Sequence, residues 1–513
     1  MKYVALFHAN LNYAFLEPHK YEQTIRASYE VIFDTFREKC PGAKYVFEAS
    51  GFTIDEMAAR TPDVLEKLKA AIASGQCEFM GAPYSHPLMA NIPEEDGRWS
   101  CEFAMASYEN HLGFRPVSFW NPECTWMQYV PRAFRDAGVR YLTLDFESYM
   151  NSCDKDYSWV ERNRTRDMKW GGNLPWYPLD PDCRFLHRPF RDIVPGLHGF
   201  CRSDRLVGKY VGYFLGKLPL EEYIANVRHW SGKEGKGATV IIADDAEYCG
   251  TSGYYYVKHH NQYDRSFEVD PGAADKLERL VKAVLELGEF ATFSEACEIE
   301  PVEEPFYVED RYAWHRTFAD VWGNTPEARR FDPVLDALRR EYKEMVQPVA
   351  EGSRSGEFRE LVTKFWFHCT NSADSYGRWP PPPAHTCPFN VGWVENELRL
   401  TRETLDLLLE KVRAYPVPPT PPPADTPGGS YGIDYTRKDP GNLGRLNLYE
   451  LQHALYAAHA ARDFPPTRSD GTSRLLAVYS EFERRGLTPT VQPFATETGG
   501  SDGRLGEPSP PAG

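Results

Sequence analysis

The chain has 513 residues, of which 42% are hydrophobic and 26% charged, with a formal net charge of −16. That acidity argues against nucleic acid or an anionic membrane surface as a partner, and no apolar stretch reaches the length of a membrane span. The 11 cysteines follow no C-x-x-C or regular spacing and read as free thiols in a reducing, cytoplasmic setting.

The first apolar run, in "MKYVALFHANLNY", is too short for a secretory leader and reads as a strand. Strands are expected at 2–8, 44–50, 77–81, 117–120, 139–145, 184–190, 238–244 and 289–293. Between them, 21–39, 61–75, 93–113 and 129–138 carry helical spacing. The second of these opens with Thr61-Pro62, a cap and a first-turn proline, and closes at Gly75. Strands too apolar for a wet face, each followed by a helix, predict a parallel sheet closed or nearly closed into a barrel over 1–305. An open doubly wound sheet is the alternative. From 306 to 414 the strand signals stop, and 327–352, 357–371 and 394–415 read as helices of a domain packed on the barrel. Composition then shifts. Residues 415–446 form a Pro/Gly-rich linker that includes most of "YPVPPTPPPADTPGG", 447–487 hold two short helical patterns, and 488–513 read as a disordered tail.

In a parallel α/β barrel, chemistry gathers where the C-terminal ends of strands meet the following loops. Those ends supply His8 after the first strand, and Glu78 and His86 around the third. They supply Glu123 after the fourth, in "SFWNPECTW", and Asp244, Asp245 and Glu247 in "IIADDAEYCG". Two carboxylates from separated strands, meeting in an aromatic cleft, are the minimal apparatus for glycoside cleavage. One attacks or stabilises the sugar's cationic carbon while the other protonates the leaving oxygen. Crowding in the D-D-x-E run raises the pKa of at least one member, which keeps a proton donor loaded. Plainer readings stand beside these: Glu123 also suits a salt bridge, the acidic run a solvated turn or half a cation site, His8 a core histidine, and Trp120 packing. Arg191, in "RFLHRPFRDIVPGLHGF", suits either sugar hydroxyls or an ion pair. The histidines follow no zinc-ligand spacing, and the chemistry requires no metal or cofactor.

The order and wording of these motifs resemble family 57 of the glycoside hydrolases, the α-amylase, glucanotransferase and branching-enzyme group. "FHANL" stands at the family's first region and matches at His8; "GQCEFMGAPYSHPL" is similar to the second. "FWNPECTW" resembles the third, "IIADDAEYCG" the fourth, and "HCTNSADSYGRW" the fifth, with Asp374 and Trp379. The resemblance covers about residues 1–410. It implies an α/β fold, an irregular (β/α)7-type barrel followed by an α-helical domain, so that 184–190 or 289–293 drops out as a strand. It also implies a retaining mechanism on α-linked glucan or a related oligosaccharide, with Glu123 as nucleophile and Asp245 as general acid/base. Around that pair, His8, Glu78, His86, Trp120, Arg191, Glu247, Asp374 and Trp379 are the candidate substrate contacts. Two competing functions are a metal-dependent polysaccharide deacetylase, whose H-x-x-x-H spacing is absent, and a non-catalytic carbohydrate-binding relative.

Overall fold

The computed structural model describes residues 1–414 apart from 153–182, 233–235, 253–255, 260–261, 266, 309–311, 314–316, 319, 324, 351–354 and 379–387. The expected linker, short helices and tail lie outside the described residues, as does Trp379.

The main sheet is built from β1 (Lys2–Ala9), β2 (Tyr45–Ser50), β3 (Cys77–Ala82), β4 (Ser118–Phe119), β5 (Tyr141–Asp145), β6 (Phe190–Val194), β7 (Leu197–Arg202) and β8 (Ala238–Asp245). β9 (Tyr256–His259) and β10 (Gln262–Arg265) form a separate hairpin, and β11 (Glu289–Phe290) rejoins the main sheet. Seven strands run parallel in the order β8-β1-β2-β3-β4-β5-β7, with β6 antiparallel on β7. β2 joins β1 only from Leu6, and β11 takes the place beside Lys2 and Tyr3. No ladder joins β7 to β8 among the described residues. There His187 closes the gap: its carbonyl accepts from Ala238 N–H at 3.1 Å and its Nδ1 meets Thr239 Oγ1 at 2.9 Å. The result is a curled, incompletely laddered barrel.

The seven parallel strands do not all fall where apolar runs suggested. In 184–190, a single 3-10 turn spans Arg184–Leu186, and the edge strand starts only at Phe190. The parallel strand is 197–202, which reads poorly because Gly199 interrupts it. That glycine is required: a Cβ there would stand 2.6 Å from Leu144 Cδ1 on β5 and 2.8 Å from Ile193. The 289–293 segment keeps two strand residues; Thr292 then caps the helix Phe293–Cys297 in a reciprocal capping box with Glu295.

Period-two alternation fixes the barrel's filling. Val4, Leu6, Val46, Met80, Phe200 and Val240 face inward with Phe293 and Cys297. Phe7, one step out of phase, turns outward onto Phe36 and Tyr210. Beyond the barrel, the helices Pro326–Glu341, Gly356–Asn371 and Pro388–Ala414 pack together and onto the barrel helix Glu94–Leu112. Trp99 stacks on Trp366 at 6.1 Å, and Arg339 Nε donates to the buried Asp96 at 2.8 Å. This bundle delivers the turn 372–378 to the strand ends. No helix among the described residues is long and apolar enough to cross a membrane.

Candidate active site

The inward row of each strand ends in a polar residue at its C-terminal side. After Val4 and Leu6 comes His8; after Val46, Glu48; after Phe200, Arg202; after Tyr141 and Thr143, Asp145. β8 departs from simple alternation. Val4 pairs with Val240 but Ala5 pairs with Ile242, so β8 carries one extra residue. That bulge reverses the phase: Ala238 and Val240 face inward below it, Ala243 above it. Asp245 therefore shares the inward row with Ala243. The bulge decides which member of the Asp244–Asp245 pair reaches the site.

Glu123 reaches it differently. β4 lasts two residues, with Trp120 N–H donating to Gly81 carbonyl at 2.7 Å, and the chain then enters the 3-10 turn Pro122–Cys124. Glu123 and Cys124 both take left-handed backbone angles, with φ of 51° and 49°. Such conformations cost non-glycine residues on the order of 1–3 kcal/mol each and persist where surrounding structure imposes them. Here Thr125 and the buried Trp120 and Trp126 hold the turn, and the carboxylate is fixed instead of sweeping through rotamers.

The charges converge on His8. Its Nδ1 contacts the fully buried Glu48 carboxylate, and its Nε2 lies 4.0 Å from Asp245 Oδ1. Its ring stacks on Trp120 at 5.0 Å and neighbours His86 at 5.2 Å. Burial alone would lower the His8 pKa, but Glu48, Asp245 and Glu247 outweigh it and raise it to about 9. Glu123 is pushed up to about 7, first by burial and then by the Asp245 charge; Tyr376, His8 and Arg202 pull the other way. The two candidate carboxylates thus lie within reach of each other's fields. Tyr376 Oη donates to Glu123 Oε1 at 3.1 Å, leaving the other oxygen unengaged by it. Arg202 stands over the Trp120 ring at 5.7 Å and bonds Asp145 at 3.3 Å.

Other sequence candidates take supporting or distant places. Glu247 is fully buried, accepts Asn10 N–H at 2.9 Å and the Tyr29 hydroxyl, and is raised to about 8 by burial and Asp245. Asp374 is also fully buried, taking Asn12 Nδ2 at 2.7 Å and Gly377 N–H at 2.9 Å, so it braces the turn that presents Tyr376. His86 stacks on Tyr376 at 5.6 Å. Glu78 does not join the cluster. It is the second residue of β3, at the opposite end of the barrel, where it bonds Ser118 and the N-terminus of the helix Phe293–Cys297. Arg191 is likewise apart, pairing with Glu298 at 3.5 Å. Glu48, Arg202 and Tyr376 were not singled out from the sequence. A lone charged residue inside the apolar run "KYVFEAS" was the available signal for Glu48.

Among the described residues, no three His, Cys, Asp or Glu side chains stand so as to hold a metal ion. The imidazole nearest the carboxylates is engaged by Glu48, which does not suit the ligand set a metal-dependent deacetylase needs.

The family model of glycosyl hydrolase family 57 matches residues 1–304, the whole barrel. The chain belongs to that family. Among its relatives are an α-amylase of Pyrococcus abyssi, 24% identical over 203 residues, and a 4-α-glucanotransferase of Thermococcus litoralis, 26% identical over 187 residues. These alignments cover 38% and 36% of this chain and 28% of each relative, so this family 57 chain spans under a third of the relatives it matches. In fold it is similar to a family 57 branching enzyme of Thermococcus kodakaraensis solved with glucose (TM-score 0.57, 13% identity). That superposition covers 80% of this chain and 94% of the other. It also resembles the α-amylase AmyC of Thermotoga maritima (TM-score 0.56, 12% identity, 80% and 95% covered).

Proposed function

We propose that this family 57 member cleaves or transfers α-linked glucosyl units with retention of configuration, using Glu123 as nucleophile and Asp245 as general acid/base. The observation that carries the reading is the meeting of two carboxylates from β4 and β8 on one imidazole, each within the other's field.

Glu123 in its ionised form attacks the anomeric carbon as the bond to the leaving oxygen breaks, and Asp245 gives that oxygen its proton. A protonated Asp245 carries no charge, so the repulsion that hinders Glu123 ionisation is relieved in the state that reacts. Water or a sugar hydroxyl then gives its proton to Asp245 and attacks the anomeric carbon, freeing the Glu123 carboxylate. The His8 cation, fixed by Glu48, offsets negative charge beside both acids. Tyr376 ties one oxygen of Glu123, so the other faces the sugar, and Trp120 supplies a ring edge at the cleft. The names of the relatives, α-amylase and 4-α-glucanotransferase, support α-glucan as the substrate class.

The test is Asp245→Ala assayed on two aryl maltosides of unlike leaving-group acidity. A proton donor matters little when the leaving group departs unaided, so hydrolysis of the poor leaving group falls by about 10²–10⁴ while the good one is far less affected. Added azide, which needs no base, restores turnover and yields the retained glycosyl azide. Equal losses on both substrates, with no azide product, refute the assignment.

A further inference from the structure

The turn 372–378 has two faces. Asp374 and Tyr376 serve the carboxylate cluster, while Ala373, Ser375 and Arg378 line a separate cavity of about 150 Å³ between the loop 88–92 and the helix Pro326–Glu341. An engineered cavity of about that volume in another protein takes a six-membered ring. The lining here is polar: Asp332, Asp336, Arg339, Arg378 and Ser375, with the Trp322 indole. Two carboxylates oppose two guanidinium groups, so no net charge selects an ion, whereas alternating donors and acceptors suit a ring of hydroxyls.

Arg378 supplies the observation that points to an occupant. It is only 6% exposed, and its Nε bonds Asp332 at 2.6 Å. Its Nη1 bonds the carbonyls of Ser372 at 2.8 Å and Asp374 at 3.1 Å. Its Nη2 is buried without a hydrogen-bond partner. A buried guanidinium N–H left in that condition is costly, and an oxygen-bearing ligand relieves it. The same Nη1 clamps the turn that presents Tyr376 to Glu123, so an occupant would bear on the catalytic carboxylate through one residue.

We infer that this cavity is a second saccharide site, holding one glucosyl unit of the glucan apart from the carboxylate cleft. This rests on the substrate class proposed above. Trp322 packs on the ring, Asp332 and Asp336 accept from its hydroxyls, and Arg378 Nη2 donates to a ring or hydroxyl oxygen.

The experiment is calorimetric titration of maltotriose into the full chain carrying Glu123→Gln, which prevents turnover. Two binding events per chain are expected. Adding Asp336→Ala weakens one of them by roughly tenfold or more, the worth of a charge-assisted hydrogen bond. Trp322→Phe in the same background, which keeps an aromatic ring in the packing, weakens the same event and guards against a misfolded Asp336→Ala protein. With Glu123 intact, Asp336→Ala leaves kcat on an aryl maltoside within about twofold and raises KM for long glucan. A single binding event, or two events that neither substitution alters, overturns the second site while leaving the cleft assignment standing. No binding of maltotriose at all overturns both this site and the substrate class it rests on.

Discussion

Replacing Glu123 by glutamine should change stability in a pH-dependent way that the site's electrostatics fix in sign and size. The carboxyl is held at about 7 against an ordinary 4.5, chiefly by burial and then by Asp245. Between those two values the unfolded chain has released a proton that the folded chain retains. Wild-type stability therefore falls as pH rises through that window, and levels off above it. The amount withheld at full ionisation is roughly 3 kcal/mol. The glutamine amide has no such proton to lose, and its side-chain oxygen still accepts from Tyr376. Urea denaturation of both proteins at steps from pH 4.5 to 8 gives the difference in unfolding free energy, with groups common to both cancelling. The variant should gain on wild type by about 3 kcal/mol across the window and then hold level. A flat difference, or one that grows toward acid, would refute the claim that this carboxylate is buried beside a second negative charge.

Glu48→Gln removes the partner that keeps His8 charged. The raised His8 pKa contributes stability below about 6.5 that is lost as pH rises through about 9. The variant should therefore lose on the order of 3 kcal/mol at about pH 6 and progressively less toward about pH 10, with the His8 ring titrating at lower pH by NMR. Tyr376→Phe deletes a hydrogen bond that favours ionised Glu123. The acidic limb of kcat/KM, near pH 7 in wild type, should move to higher pH with a loss of activity of about tenfold or less. Gly199→Ala places a methyl against Leu144 and should destabilise by about 1–3 kcal/mol in urea melts, with little effect on KM. Dialysis against a chelator should leave glucan cleavage unchanged; loss on chelation would favour the deacetylase chemistry.

Strand existence was legible where apolar runs were long, as in β1, β2, β5 and β8, because burial on both faces imposes such runs. β7 was not, because its tight packing against Leu144 selects glycine, which reads as a break. The candidate carboxylates stood out as acids at strand ends, but a list of ends does not record which way each side chain faces. Glu78 shares the inward row of β3 with Met80 and Ala82, yet enters at the wrong end of it. The choice of Asp245 over Asp244 depends on a one-residue bulge, which leaves no mark in composition or periodicity. Tyr376 and Arg202 belong to contacts spanning hundreds of residues or opposite sides of the barrel, and such contacts are visible only once the chain is folded.

The proposed reaction turns on a covalent bond between Glu123 and the sugar. The direct measurement is incubation with a fluorinated maltosyl fluoride, followed by proteolysis and mass spectrometry of the labelled peptide. One adduct is expected, on Glu123, absent from the Glu123→Gln variant and released by adding a saccharide acceptor. A label on another carboxylate, or turnover of the reagent by an active enzyme with inverted product and no adduct, would contradict it.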